Sequence, residues 1–267
     1  MHPCCKRARL EPKQPGGSAT AVHFPARSVQ HRQDVGALGL THFLLRAYMN
    51  HCRIADQTAL EALVRFSDEE LKHQEPFRRI EKLAADTMPA GYRFKPEPDK
   101  VAEVVLGKST WAVLALTLHI ELFTQLHYRQ SIEPDENLSP LFKDVFLYHW
   151  KEESQHAILD ELEWVRNDQK MSAEGRDKAV DEFIELVVAV DGILQLQASD
   201  DSRYFAETCG RRLSTDEKDK LESGLLRSYR WQYILSGAQH PHFIKVLTSL
   251  VTDAQTERIQ SALATLQ

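Results

Sequence analysis

Several features that define protein classes are scarce or missing in this 267-residue chain. It has only four cysteines, Cys4, Cys5, Cys52 and Cys209, and no Cys-x-x-Cys pair. That argues against a disulfide framework and for a reducing compartment, read here as the cytoplasm. No apolar run approaches the roughly 18–20 residues that a bilayer span needs, so no membrane partner is expected. The opening stretch, MHPCCKRARLEPKQPGGS, carries charge with no apolar core behind it and is unlike a secretory signal. Net charge is −6, so no broad basic surface points to nucleic acid. No Gly-x-Gly-x-x-Gly fingerprint marks a flavin or nicotinamide site. Strand-like alternation is absent as well.

What the chain does have is helical periodicity, from about residue 57 onward. Leu60, Leu63, Val64, Leu71 and Ile80 are spaced for one apolar stripe, and Pro76 is expected to end or kink that helix near 75. After the turn-rich MPAGYRFKPEP, a long helix is expected over 98–130, then a loop at SIEPDENLSP. Ser139-Pro140 then reads as the start of a helix to about 168. Further helices are expected over about 175–197, from the capping box STDE at 214–217 to about 236, after His240-Pro241, and amphipathically at 253–267. The fold class is all-α, a helical bundle with long central helices and additional C-terminal ones. Residues 1–55 differ. They hold eight Lys/Arg against two acids, Glu11 and Asp34, and lack periodicity up to about 35. They read as a basic, partly disordered segment, with a further helix at 36–50, ahead of a helical domain at 56–252.

Two stretches carry the chemistry. SDEELKHQEPF places Glu70 and His73 three residues apart, and EESQHAILD repeats the spacing with Glu153 and His156. Residues at i and i+3 share a helix face, so each pair can offer a carboxylate and an imidazole to one cation. With 22 Glu and 12 His, chance alone supplies about one such pair, so context must add weight. Glu121 adds it. It lies within LTLHIELFTQL, where an unpartnered carboxylate costs several kcal/mol. Leu114, Leu118, Gln125 and Tyr128 share its face. Glu121 precedes Glu153 by a helix–loop–return spacing. Tyr128, His149 and Asp160 are candidates for the surroundings of the ligands. Competing readings have Ser67 and Glu70 as a capping box, His73 and His156 as surface residues, Glu153 on a solvated acidic face with Glu152, and Glu121 paired with an arginine. Asp191 and Gln195 read as structural hydrogen-bonders or as residues of open role.

RFSDEELKHQ and HWKEESQHAILDELE, with AVDGILQLQASD and WQYILSGAQHPHF, resemble the ferritin-like di-iron carboxylate superfamily, in particular a bacterial branch with no firmly assigned substrate. The resemblance implies a ferritin-like four-helix bundle with Glu70, His73, Glu121, Glu153 and His156 as metal ligands, Glu70 and Glu153 bridging and Glu121 terminal. It implies two iron ions (or Mn/Fe), dioxygen and a small-molecule substrate as reactants, a separate electron donor, and an oxidase or oxygenase chemistry; a homodimer is the candidate assembly. Iron handling of the ferroxidase type and a metal-free helical scaffold are the alternatives. The family's helix-one Glu has no counterpart. The window RQDVGALGL offers only Asp34, and Asp56 lies too close to Glu70, so an impaired site is expected.

Overall fold

The computed structural model describes residues 57–266, and it is all-α, with no strand among the described residues. The expectations for residues 1–55, including a helix at 36–50 and Asp34 as a ligand, lie outside them. The principal helices are α1 (Gln57–Ala85), α2 (Pro98–Leu106), α3 (Thr110–His127), α4 (Pro140–Asp168), α5 (Ala173–Thr208), α6 (Thr215–Arg230), α7 (Pro241–Leu250) and α8 (Asp253–Ala264). Among the described residues, no helix is long and apolar enough to cross a membrane.

α3 is the centre of the packing. It lies against α4, α5 and the segments after α6, while α1 lies on α4 and α5 pairs with α6. Its sequence explains the position. Every residue from Trp111 to His119 is buried, and a helix apolar all round must be covered all round. Trp111 meets Trp164 edge to face at 5.1 Å, and Trp164 stacks on Phe243 at 5.9 Å, which ties α3, α4 and α7 together. The Trp111 indole N–H donates to Asp168 Oδ1 at 2.9 Å, and Arg176 Nε donates to the same oxygen at 2.6 Å. That carboxylate closes the α4–α5 corner.

Most helix starts follow the local code. Ser139, Ser172, Ser214 and Thr252 each accept from a backbone N–H of the first turn, and Ser214–Glu217 forms the full capping box that STDE announces. Several boundaries differ from the sequence reading. α1 passes through Pro76 to Ala85, because Phe77 and Ile80 are buried beyond the proline and their packing outweighs one lost backbone bond. The expected 98–130 helix is two helices. α2 stops at Gly107, and Ser109 restarts the chain by capping Ala112 N–H while its own N–H donates to Glu182 Oε2 at 2.8 Å. α3 then runs into a wider π-helical turn, Tyr128–Ile132.

α5 continues eleven residues past the expected 197. Its second half is buried through polar groups that no hydrophobic pattern shows. Gln197 Nε2 donates to Asp201 Oδ1 at 2.7 Å, and the Tyr229 hydroxyl donates to Asp201 Oδ2 at 2.5 Å. After α6 the chain makes a second π-helical turn, Trp231–Leu235. Gly237 follows it, and a Cβ there would sit 2.7 Å from His119 Nε2; only glycine lets the turn approach close enough for His119 Nε2 to donate to Ile234 O at 2.7 Å.

Replacing Asp168 with alanine strands the buried Trp111 N–H and removes the carboxylate facing Arg176. The expected loss is about 2–3 kcal/mol of unfolding free energy, read by denaturant titration. A change below the error of that titration would refute the role given to this corner.

Candidate metal centre

α1 and α4 carry the same local motif, Glu-Glu-x-x-His, at Glu69-Glu70…His73 and Glu152-Glu153…His156. The two helices are antiparallel here, so the motifs meet face to face and pair reciprocally. His73 Nε2 lies 2.6 Å from Glu152 Oε2, and His156 Nε2 lies 2.9 Å from Glu69 Oε2. Inside this outer ring, His73 Nδ1 is 3.2 Å from Glu153 Oε1. His156 Nδ1 is 2.9 Å from Glu70 Oε1 and 2.6 Å from Glu153 Oε2. One ligand atom from each of Glu70, His73, Glu153 and His156 lies within 4.8 Å of all the others.

The outer contacts decide what the imidazoles can do. A carboxylate at Nε2 fixes the proton there, so the neutral ring turns its Nδ1 lone pair toward the cluster. Both rings are held this way, by carboxylates from the opposite helix. Lys72 Nζ donates to Glu152 Oε1 at 2.6 Å and holds that outer carboxylate in turn. Glu153 also takes a third imidazole, His149 Nε2, at 2.5 Å. Phe66 and Phe77 close the site, with rings 4.0 Å from His156 and 4.9 Å from His149.

From α3, Glu121 is hydrogen-bonded to Glu153. Burial, and then the charge of Glu153, push its pKa well above the usual carboxylate range, so its charged form is disfavoured there. Asp160, one turn beyond His156, is pushed up to about 8 by burial, with Glu70 and Glu153 adding to it; Thr117 and His156 act the other way. Burial alone would also raise Glu153, but the charge and hydrogen bond of His149 and the bonds from His156 and His73 outweigh it and hold it well below its ordinary value. At His156 burial opposes the charged ring, yet Glu153 and Glu70 win and push it up to about 11; His73 moves the same way. The buried cluster thus balances its charge with protons. A cation set among these oxygens and Nδ1 atoms replaces them.

Set beside the sequence reading, Glu70, His73, Glu153 and His156 converge, and Glu121 bonds to Glu153. The competing readings fail on geometry. Ser67 is mid-helix and donates to Leu63 O at 2.9 Å, so it caps nothing. His73, Glu153 and His156 are 6%, 3% and 2% exposed. His149 contacts Glu153 directly, and Asp160 is buried beside the cluster. Tyr128 lies one layer away, packed with Phe77, Ile132 and Phe146 and stacked on Trp150 at 5.3 Å. Asp191 is structural, bound by Arg230 at 2.7 Å and Gln195 at 2.6 Å. Sequence reasoning missed Glu69 and Glu152 as the anchors of the two Nε2 atoms. The doubled Glu-Glu ahead of each His was the available signal.

Fold and site together define an all-α protein with a buried carboxylate–imidazole cluster able to hold a metal ion. No protein-family model, curated protein or solved structure matches the chain.

Two outcomes follow. Glu153→Gln leaves His73, His149 and His156 without their shared carboxylate, and should cost the metal-free protein about 3–5 kcal/mol in chemical denaturation; an unchanged midpoint would contradict the geometry. The pH dependence has a definite sign. His156 rises from 6.5 to about 11 on folding and Asp160 from 3.8 to about 8, so both stabilise at low pH and lose that contribution as pH climbs through the folded values. Melting temperature of the metal-free protein should therefore fall from pH 7 to pH 10, and bound metal should flatten the slope. A metal-free melting temperature that rises over that interval would contradict the charge assignment.

Proposed function

We propose that this protein is a di-iron (or Mn/Fe) carboxylate protein that uses dioxygen to oxidise a small organic substrate, with electrons from a separate donor. One observation carries the reading: two antiparallel Glu-Glu-x-x-His motifs aim two carboxylates and two Nδ1 atoms into one buried space, with each Nε2 tied to an outer glutamate. The donor set is mixed oxygen and nitrogen, which suits iron and manganese and is poor in the thiolates that select softer metals. The resemblance of RFSDEELKHQ and HWKEESQHAILDELE to the ferritin-like di-iron carboxylate superfamily supports the same reading, as does the all-α fold with Glu121 entering from a third helix.

Bound iron would supply the redox chemistry with dioxygen. The chain's own residues supply the rest. Glu70 and Glu153 stand between the two imidazoles, where a carboxylate can bridge two cations. Glu121, whose charged form burial and Glu153 disfavour, would serve as a further carboxylate ligand once a bound cation offset that cost. Asp160 offers a further buried carboxyl with its Oδ2 unbonded among the described residues, in a cluster whose sequence lacks a helix-one glutamate. Phe66 and Phe77 keep water from the rings.

A second reading has a specific observation behind it. The imidazolium–carboxylate pairs neutralise one another without metal, so the cluster also works as a polar core that fixes the register of α1 on α4.

Aerobic loading with Fe(II), followed by elemental analysis and near-ultraviolet absorption, separates the two. The metal reading expects iron uptake and an oxo-bridged ferric band, both lost in Glu70→Ala and Glu153→Ala; two tightly held irons per chain would contradict the impairment expected from the missing helix-one glutamate. Glu121→Gln, which mimics the protonated acid, should leave metal-free stability within about 1 kcal/mol of the parent and weaken iron retention. Iron no tighter in the parent than in Glu153→Ala would leave only the polar core.

A further inference from the structure

α3 separates the cluster from a second feature. On its far side, between α2 and α5, lies a cavity of about 530 Å³, within the range of small-molecule sites. Its wall is aliphatic and aromatic, with Val105, Leu116, Ile120, Phe123, Val190 and Ile193 prominent. It opens to the surface between α2 and α5, a half-open apolar cleft that a molecule can enter. The shape is that of a receptacle.

Its polar groups are few. At the mouth, Lys100 Nζ donates to Glu97 Oε1 at 2.9 Å, and Lys95 Nζ lies 3.6 Å from Asp200 Oδ1. Arg203 also pairs with Asp200, so one lysine charge is left over, on the exposed rim rather than inside the cavity. In the wall, His119 Nε2 is committed to Ile234 O, and burial lowers that ring to about 4, so it is neutral. Thr117 is the polar group that connects the cavity to the cluster. It lines the cavity, its hydroxyl donates to Leu114 O at 3.1 Å, it helps hold the pKa of buried Asp160 down, and it lies one helical turn before Glu121 on the same face of α3.

We infer that this cavity receives a neutral, hydrocarbon-like molecule, or the hydrocarbon part of a larger one, and holds it against the Thr117 wall as the organic substrate of the Glu/His cluster. The substrate role rests on the metal-centre reading above; the cavity's taste for apolar, uncharged molecules does not. Apolar lining rewards burial of hydrocarbon surface and penalises a charge carried into it without a partner. Thr117 then marks the end of the cavity at which the reacting carbon belongs.

The test uses the full chain and N-phenyl-1-naphthylamine, a neutral probe whose fluorescence rises in apolar surroundings. The metal-free protein should bind it saturably. Val190→Trp, which fills the cavity from α5, should weaken binding at least about tenfold, and Val101→Trp, which narrows the mouth from α2, should do the same if the first variant folds poorly. Leu162→Trp, at an exposed site on α4, should leave binding unchanged. In the Co(II)-loaded protein, adding the probe should shift the visible Co(II) bands. Absence of saturable binding, or binding that both cavity variants leave intact, would overturn the pocket. Probe binding with an unmoved Co(II) spectrum would overturn its service to the cluster. Failure to take up Co(II) together with normal probe binding would remove the metal reading and the substrate role with it, and leave an apolar binding site.

Discussion

Glu153 sits in the interior with its charge intact, and the core of the molecule is arranged around that fact. An ionised carboxylate is tolerated away from water only where donors surround it. Here three imidazoles converge on it, from His73, His149 and His156, and Glu121 adds a hydrogen bond from α3. Each donor comes at a fixed register. A one-residue slip of α1 along α4 would part His73 from both Glu152 and Glu153. The cluster is thus as much a statement about how the helices must pack as about what they can bind.

The rest of the fold holds that register. α3 is apolar on every side and takes the central place, so it can deliver Glu121 to the cluster while turning Leu116 and Ile120 to the cavity behind it. The Trp111–Asp168–Arg176 corner fixes where α4 ends, and the close approach at Gly237 fixes the segment after α6 against His119. One helix therefore carries both a carboxylate beside the cluster and a wall of the apolar cavity, with Thr117 between them.

Much of this was legible in the sequence, for identifiable reasons. Helix existence and the serine and threonine caps are encoded within a few residues, and α4 begins and ends where its pattern says. The Glu-x-x-His pairs showed themselves because i, i+3 spacing survives folding unchanged. What could not be seen depends on partners distant in the chain. Pro76 does not end α1, because buried Phe77 and Ile80 hold the helix beyond it. α5 outruns its hydrophobic pattern because Gln197 and Asp201 are buried through bonds to each other and to Tyr229. Glu152 looked like solvated surface until the antiparallel crossing placed His73 beside it. Asp34, the candidate fourth carboxylate ligand, lies outside the described residues.

The central claim is that metal enters between Glu70 and Glu153 and is bound through the Nδ1 atoms of His73 and His156, with both Nε2 atoms engaged elsewhere. Anomalous diffraction from crystals soaked in Mn(II) or Fe(II) tests it most directly. The account predicts one or two peaks at coordination distance from those two Nδ1 atoms, with the Glu69 and Glu152 contacts kept. Peaks confined to surface carboxylates, or imidazoles turned to bind through Nε2, would contradict it.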